Sequence, residues 1–133
     1  MKFRTWVGLI ALVVLLYECV ASAVDSAYPS CPYGERIRMP MPFPNNGGYS
    51  WVANVPELER LSDTRPEAPY GSPIVICENH RLLGPAHASH KDIAAVGLGR
   101  FSHWGTDIVF STSDNSDPNA NGRSYLIIRT DRP

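Results

Sequence analysis

Short apolar segments separated by turn-forming residues constrain this chain more than any other sequence feature. Residues 73–78 form a β-branched run that ends at Asn79-His80, which predicts a buried strand and a hairpin turn onto residues 81–83. Turn signals at intervals of about 8–12 residues favour a mainly β fold, either a small β-sandwich or an open barrel. The same pattern predicts strands at 49–55, 100–104, 107–112 and 125–130.

One short α-helix is predicted between these strands. Ser89 and Asp92 have the spacing of a capping box, with Asp in place of the usual Glu. Ile93 lies on a small apolar face, and Gly97 can terminate the helix. Because the helix has only about two turns, packing on the sheet must stabilise it. A further helical turn is predicted at residues 56–61.

Residues 1–23 have the layout of a secretory signal peptide. Lys2 and Arg4 precede an apolar run at 6–16, and Ala21-Ser22-Ala23 provides a cleavage site. The run is shorter than the ~20 residues of a membrane span, and Glu18 follows it. The sequence therefore predicts an exported protein, periplasmic or secreted, with an uncleaved membrane anchor as the alternative.

The remaining chain is predicted to comprise a proline-rich arm at residues 24–48 and a single β-rich domain at 49–133. Prolines at alternate positions of the arm favour an extended conformation across the domain surface. Removal of Cys19 with the signal leaves Cys31 and Cys77, which can form one disulfide in an oxidising compartment. Two buried free thiols are the alternative.

The charge balance argues against nucleic acid as a partner. The formal net charge is −1 at pH 7, and it stays slightly negative without residues 1–23. Such a chain has no basic surplus to neutralise phosphates. Contact with a membrane is expected only through the signal segment, if that segment is not cleaved.

Three motifs lie between residues 77 and 123: CENHRLLGPAHASH at 77–90, GLGRFSHW at 97–104 and SDNSDPNANGR at 113–123. Together they resemble a small β-rich module of bacterial proteins, and the resemblance extends over residues 74–128. That module occurs alone or attached to methyltransferase-like and glycosyltransferase-like domains. The association of the module with these domains implies a function related to glycans. The chain departs from the module at Asn79-His80, where Asn-Gly is expected.

A polar loop at residues 113–122 follows two aromatic strands, which predicts a binding surface for a glycan or similar polar ligand. Aromatic side chains would stack on sugar rings, and Arg and Asn side chains would bond the hydroxyl groups. Alternatively, the aromatic residues belong to the core and the Asp and Asn side chains only stabilise turns. The predicted ligand-binding residues are Arg100, Trp104, Asp114, Asn115, Asp117, Asn119 and Arg123.

Calcium is a minor alternative as the ligand of this loop. Asp117, Asn119, Asn121 and Gly122 match the opening of a calcium loop, but Ile128 stands where an EF-hand needs a bidentate Glu. A looser calcium site would also use Asp114. No other cofactor is expected. The four histidines, His80, His87, His90 and His103, lie close together in the sequence, as zinc ligands do. The favoured interpretation is instead that His90 and His103 are polar anchors, which join the helix to the sheet by hydrogen bonds.

The favoured prediction is a non-catalytic binding module, with no catalytic residues assigned. One alternative is an envelope protein that contacts other proteins through its arm. The other alternative is a small hydrolase, in which His103 pairs with Asp114 or Asp107 and activates Ser102 or Ser113. No Gly-x-Ser-x-Gly nucleophile motif is present.

Overall fold

A computed structural model describes residues 29–67 and 69–130, together with helical positions at 8, 10, 12–17 and 19. The predicted cleavage motif Ala21-Ser22-Ala23 lies outside the described residues, as does the start of the arm. Within the described part of the chain, no helix has the length and apolar character needed to cross a membrane.

Two antiparallel sheets build the domain and confirm the predicted mainly β, sandwich-like fold. The first sheet has the strand order β1-β7-β3-β4, and the second has the order β2-β6-β5. The strands are β1 (Glu35–Arg38), β2 (Trp51–Asn54), β3 (Ile74–Glu78), β4 (Arg81–Leu82), β5 (Phe101–Trp104), β6 (Asp107–Phe110) and β7 (Tyr125–Arg129).

The predicted hairpin at residues 79–80 forms, and a second hairpin joins the predicted strands at 100–104 and 107–112. Cys77 pairs with Leu82 across β3 and β4, so that residues 79 and 80 make the two-residue turn. Phe101 pairs with Phe110 across β5 and β6, which are joined through Gly105 and Thr106. These turns fix which side chains of each strand face the core.

The hydrophobic core lies between the two sheets. Ile76 and Ile127 pair across β3 and β7, and both are fully buried. The rings of Phe43, Phe110 and Tyr125 pack against one another, with centroid separations of 5.1 to 5.6 Å. Phe43 packs edge to face on the other two rings, and such packing adds to the stabilisation that burial alone provides.

The short helix α1 (His90–Ala95) contacts β5 and β6 and buries Ile93 completely. The side chain of Ser89 accepts a hydrogen bond from the backbone N–H of Asp92, as the capping-box prediction requires. The second predicted turn is a 3-10 helix at Pro56–Leu61, and it buries Leu58 in the core.

The described part of the arm is more deeply built into the fold than the sequence predicted. Strand β1 lies in the arm and pairs with β7, and Met39 and Phe43 are core residues rather than surface residues. The four residues of β1 contain no proline, so their backbone N–H groups are free to join the ladder. A disulfide joins Cys31 to Cys77, with their Cα atoms 6.0 Å apart.

Candidate functional site

The polar loop at residues 113–122 is held together by its own side chains. The carboxylate of Asp114 accepts a hydrogen bond from the backbone N–H of Ser116 at 3.1 Å. The carboxylate of Asp117 accepts one from the backbone N–H of Asn119 at 2.8 Å. Asp side chains that bond the backbone two residues ahead stabilise turns without an ion.

Two asparagines fasten this loop to other parts of the domain. Asn119 accepts from the backbone N–H of Phe43 at 2.8 Å and donates to the Phe43 carbonyl at 2.9 Å. Asn115 accepts from the backbone N–H of Leu98 at 2.7 Å and donates to the carbonyl of Val96 at 3.1 Å. Both side-chain amides therefore bond the protein's own backbone.

Arg123 anchors a charged cluster beneath the loop. Its guanidinium bonds both oxygens of Asp114, at 2.9 and 2.5 Å, and lies 3.3 Å from the buried carboxylate of Glu78. Hydrogen bonding to Arg123 holds the pKa of Asp114 well below its usual range. Glu78 also accepts hydrogen bonds from the hydroxyls of Ser113 and Tyr125, and burial raises the pKa of Tyr125. Arg123 is thus engaged by two carboxylates and is poorly placed to bind a ligand.

The structure brings several of the predicted ligand-binding residues together, apart from Trp104. Asp114 and Arg123 are paired. Arg100 donates to the carbonyl of Gly97 at 3.0 Å, and Asn115 bonds the backbone of Val96 and Leu98 on either side of that glycine. Trp104 lies at the end of β5 and lines a cavity whose walls contain none of the other predicted residues.

That cavity has a volume of about 440 Å³. The side chains of Trp104 and Tyr70 are 53% and 67% exposed, so two large aromatic rings border it and remain accessible to solvent. The ring of His90 lies 5.4 Å from that of Trp104, edge to face. The described residues that line the cavity are Asp63, Tyr70, His87, Ala88, Ser89, His90, Ser102 and Trp104.

A buried carboxylate in the cavity wall orients a histidine. Asp63 is 3% exposed, His87 is 34% exposed, and the Nδ1 atom of His87 lies 2.7 Å from Oδ1 of Asp63. Asp63 also accepts hydrogen bonds from the backbone N–H groups of Ser72 and His103, each at 3.0 Å. With Nδ1 donating to the carboxylate, the lone pair on Nε2 of His87 is left for a ligand in the cavity.

The dyad considered in the hydrolase hypothesis does not form. His103 is completely buried, and its Nδ1 bonds the hydroxyl of Ser72 at 3.0 Å rather than Asp114 or Asp107. Burial lowers the pKa of His103, which favours the neutral ring. The hydroxyl of its neighbour Ser102 is buried and has no hydrogen-bond partner among the described residues.

A second concavity, of about 390 Å³, borders the polar loop and includes Ser113 and Asp114 in its lining. These two side chains are already bonded to Glu78 and Arg123. The wall otherwise consists largely of small and aliphatic residues, with Arg81 as its other charged group. The described lining of this concavity contains no aromatic side chain, in contrast to the cavity beside Trp104.

The histidines are divided between different environments. His87 and His90 line the cavity, whereas His103 is buried behind it and His80 lies in the β3–β4 turn. Among the residues that the structure describes, no three His, Cys, Asp or Glu side chains are grouped in a way that would hold a metal ion.

Sequence reasoning missed Asp63, Tyr70 and Ser72 because all three lie in a loop with no periodic pattern. Nothing in the residues around Asp63 distinguishes a buried carboxylate from a solvated one. In the sequence, His87 is one of four closely spaced histidines, and no pattern there indicates its carboxylate partner.

No protein-family model matches this chain, and neither the curated proteins nor the solved structures include a match to it.

Proposed function

We propose that this chain is an exported glycan-binding protein and that the cavity beside Trp104 is its binding site. The observation that carries this proposal is the pair of exposed aromatic rings, Trp104 and Tyr70, beside a concavity whose lining also contains serine, histidine and aspartate residues. Sugar rings present C–H groups that stack on aromatic faces, while their hydroxyls need hydrogen-bond partners nearby. The proposed site therefore differs from the one that the sequence predicted at the polar loop. Among the predicted ligand-binding residues, Trp104 alone lines the cavity.

The polar groups of the cavity suit a neutral ligand. Its described lining contains no Lys or Arg, and Asp63 is already bonded by His87 and two backbone N–H groups. A carboxylate or phosphate ligand would find no positive partner here unless a histidine is protonated. Nε2 of His87 offers an acceptor when Nδ1 donates to Asp63, and this matches a hydroxyl group of a sugar.

The size of the cavity is consistent with an oligosaccharide end or a short segment. Small-molecule sites commonly enclose about 300–1,000 Å³, and this cavity has a volume of about 440 Å³. The predicted association with glycan chemistry, inferred from the resemblance of residues 74–128, points to the same ligand class.

Calorimetric titration of the full chain with xylotriose, cellotriose, chitotriose and maltotriose tests the proposal. At least one of these sugars is expected to bind, and Trp104→Ala is expected to weaken binding about tenfold or more, because an aromatic contact is lost. Tyr33→Ala is the matched control, since Tyr33 is 97% exposed and does not line the cavity.

Two results would contradict this assignment. Binding of none of the four sugars would argue against a glycan ligand. Binding that survives Trp104→Ala but is lost in Asp117→Asn would return the site to the polar loop.

The alternative of protein contacts through the arm is less favoured. Residues of the arm supply strand β1 and the core side chains Met39 and Phe43, so much of this segment is occupied in the fold. Deleting residues 24–48 would therefore damage the domain and could not isolate a partner-binding role.

A further inference from the structure

We propose that the cavity beside Trp104 also hydrolyses ester bonds of O-acylated glycans, with His87 as the general base. This inference rests on the proposed function, because the sugar must occupy the cavity to bring its acyl group to His87. Three features of the wall support it: an oriented histidine, a strained backbone beneath that histidine, and an unpaired hydroxyl.

The pairing of His87 with Asp63 is the arrangement that a histidine base requires. Nδ1 lies 2.7 Å from the carboxylate, and the carboxylate is fixed by the backbone N–H groups of Ser72 and His103 at 3.0 Å each. This pairing selects the tautomer with a proton on Nδ1 and a lone pair on Nε2. Asp63 would also stabilise the imidazolium formed when Nε2 takes up a proton, so it acts as a positioning residue.

The backbone holds His87 in an uncommon conformation. Its φ is 56°, in the left-handed region that residues other than glycine seldom adopt. Ala88, the next residue, donates its backbone N–H to the carbonyl of Phe101 at 3.0 Å, which ties this segment to the start of β5. Tyr70, which also lines the cavity, has a similar φ of 58°. The backbone conformation and the Ala88 bond together fix where the ring of His87 lies.

Ser102 supplies the third element. The residue is among those that line the cavity, and its hydroxyl, which is shielded from solvent in this structure, has no hydrogen-bond partner among the described residues. A buried hydroxyl without a partner is costly, so its retention suggests a partner that arrives with the substrate. The hydroxyl would donate to the carbonyl oxygen of the acyl group as negative charge develops there.

The chemistry needs only water as co-reactant. Nε2 of His87 takes a proton from a water molecule, and the water oxygen forms a bond to the acyl carbon. The electron pair of the C=O bond moves onto the carbonyl oxygen, where the Ser102 hydroxyl stabilises it. When the C=O bond re-forms, the bond from the acyl carbon to the sugar oxygen breaks, and the sugar oxygen takes the proton from His87. The products are a carboxylic acid and a free sugar hydroxyl.

Acetate release from p-nitrophenyl acetate and from O-acetylated xylotriose by the full chain tests this inference. The expected result is turnover that falls about 100-fold or more in His87→Ala, in keeping with the usual contribution of a general base. Asp63→Asn and Ser102→Ala should lower kcat more than they change KM, because both residues act as charge develops. His80→Ala is the matched control, since that histidine lies outside the cavity.

A spectroscopic readout separates positioning from folding. In the unmodified protein, the nitrogen chemical shifts of His87 are expected to report the Nδ1–H tautomer. Asp63→Asn should change that tautomer distribution while His80 keeps its signals.

Binding of unacetylated xylotriose, measured in parallel, keeps the two proposals distinguishable. Sugar binding without acetate release would overturn the esterase inference and leave the binding function intact. Nitrophenol release that depends on His87 but is not accompanied by sugar binding would support His87 as a general base. It would also contradict the proposal that the ligand is a glycan. Turnover unchanged in His87→Ala would overturn the inference outright.

Discussion

Asp114 makes the stability of the polar loop sensitive to acid. Its pKa is lowered from the usual 3.8 by hydrogen bonding to Arg123. A depressed carboxyl pKa contributes stability that is complete above the unfolded value and is lost as the pH falls below it. We therefore expect the urea midpoint to fall between pH 5 and pH 3, and to fall less in Asp114→Asn. Glu67→Gln, at an exposed position, is the control and should behave like the unmodified protein.

His103 introduces a second pH dependence, at higher pH. Burial lowers its pKa from 6.5, against the opposing effect of nearby Asp63. On acidification the unfolded chain takes up this proton first, so the stability present above pH 6.5 is lost as the pH falls towards the folded-state pKa. An NMR titration should show that the ring of His103 is mostly neutral at pH 6.5. A titration midpoint at or above that value would contradict the burial argument.

The cap of α1 contributes to both helix stability and the cavity. Ser89 and His90 line the cavity at the start of a helix with only six residues. Ser89→Ala should lower the free energy of unfolding by about 1 kcal/mol, because the backbone N–H of Asp92 loses its side-chain acceptor. Hydrogen exchange at Ile93 should quicken. Lys91→Ala, on the exposed face of the same helix, should change neither quantity.

The turn after α1 requires glycine for two separate reasons. Gly97 has a φ of 66°, and a Cβ there would overlap the side-chain oxygen of Asn115. Gly105, in the β5–β6 turn, has a φ of 60° with open space where its Cβ would be. Gly105→Ala should cost about 1–2 kcal/mol from the backbone alone. Gly97→Ala should cost more, because the hydrogen bond that the backbone N–H of Leu98 donates to Asn115 would also be disturbed. If urea unfolding gave the same decrease in the free energy of unfolding for Gly97→Ala and Gly105→Ala, the result would contradict this expectation.

Most strand positions were predictable because those strands carry their own local signal, whereas the candidate site was not predictable. The apolar run at β3 and its two-residue turn identify a hairpin without any knowledge of the rest of the chain. Strand β1 escaped prediction because Ile37 is its only apolar residue and prolines surround it. Asp63 escaped because its burial and its pairing with His87 depend on how a long loop folds against β5.

At the scale of the whole molecule, the Cys31–Cys77 disulfide ties the arm to the central part of the first sheet. The two residues are separated by 46 positions, and closing a loop of that length stabilises the fold by about 4 kcal/mol in the chain-entropy model. Dithiothreitol should therefore lower the melting temperature of the protein strongly. The double variant Cys31→Ala/Cys77→Ala should melt at that lower temperature with or without reductant, and Cys19→Ser should respond as the unmodified protein does.

The order of the strands along the chain determines when the first sheet can form during synthesis. Strand β7 follows all other described strands along the chain, yet β1 and β3 both hydrogen-bond to it and not to each other. The first sheet cannot be completed until the ribosome has made residue 129, more than 90 residues after the start of β1. Until then both partner strands present unpaired edges, which other chains can join. A nascent chain of this protein therefore depends on being kept apart from its neighbours until its last strand emerges.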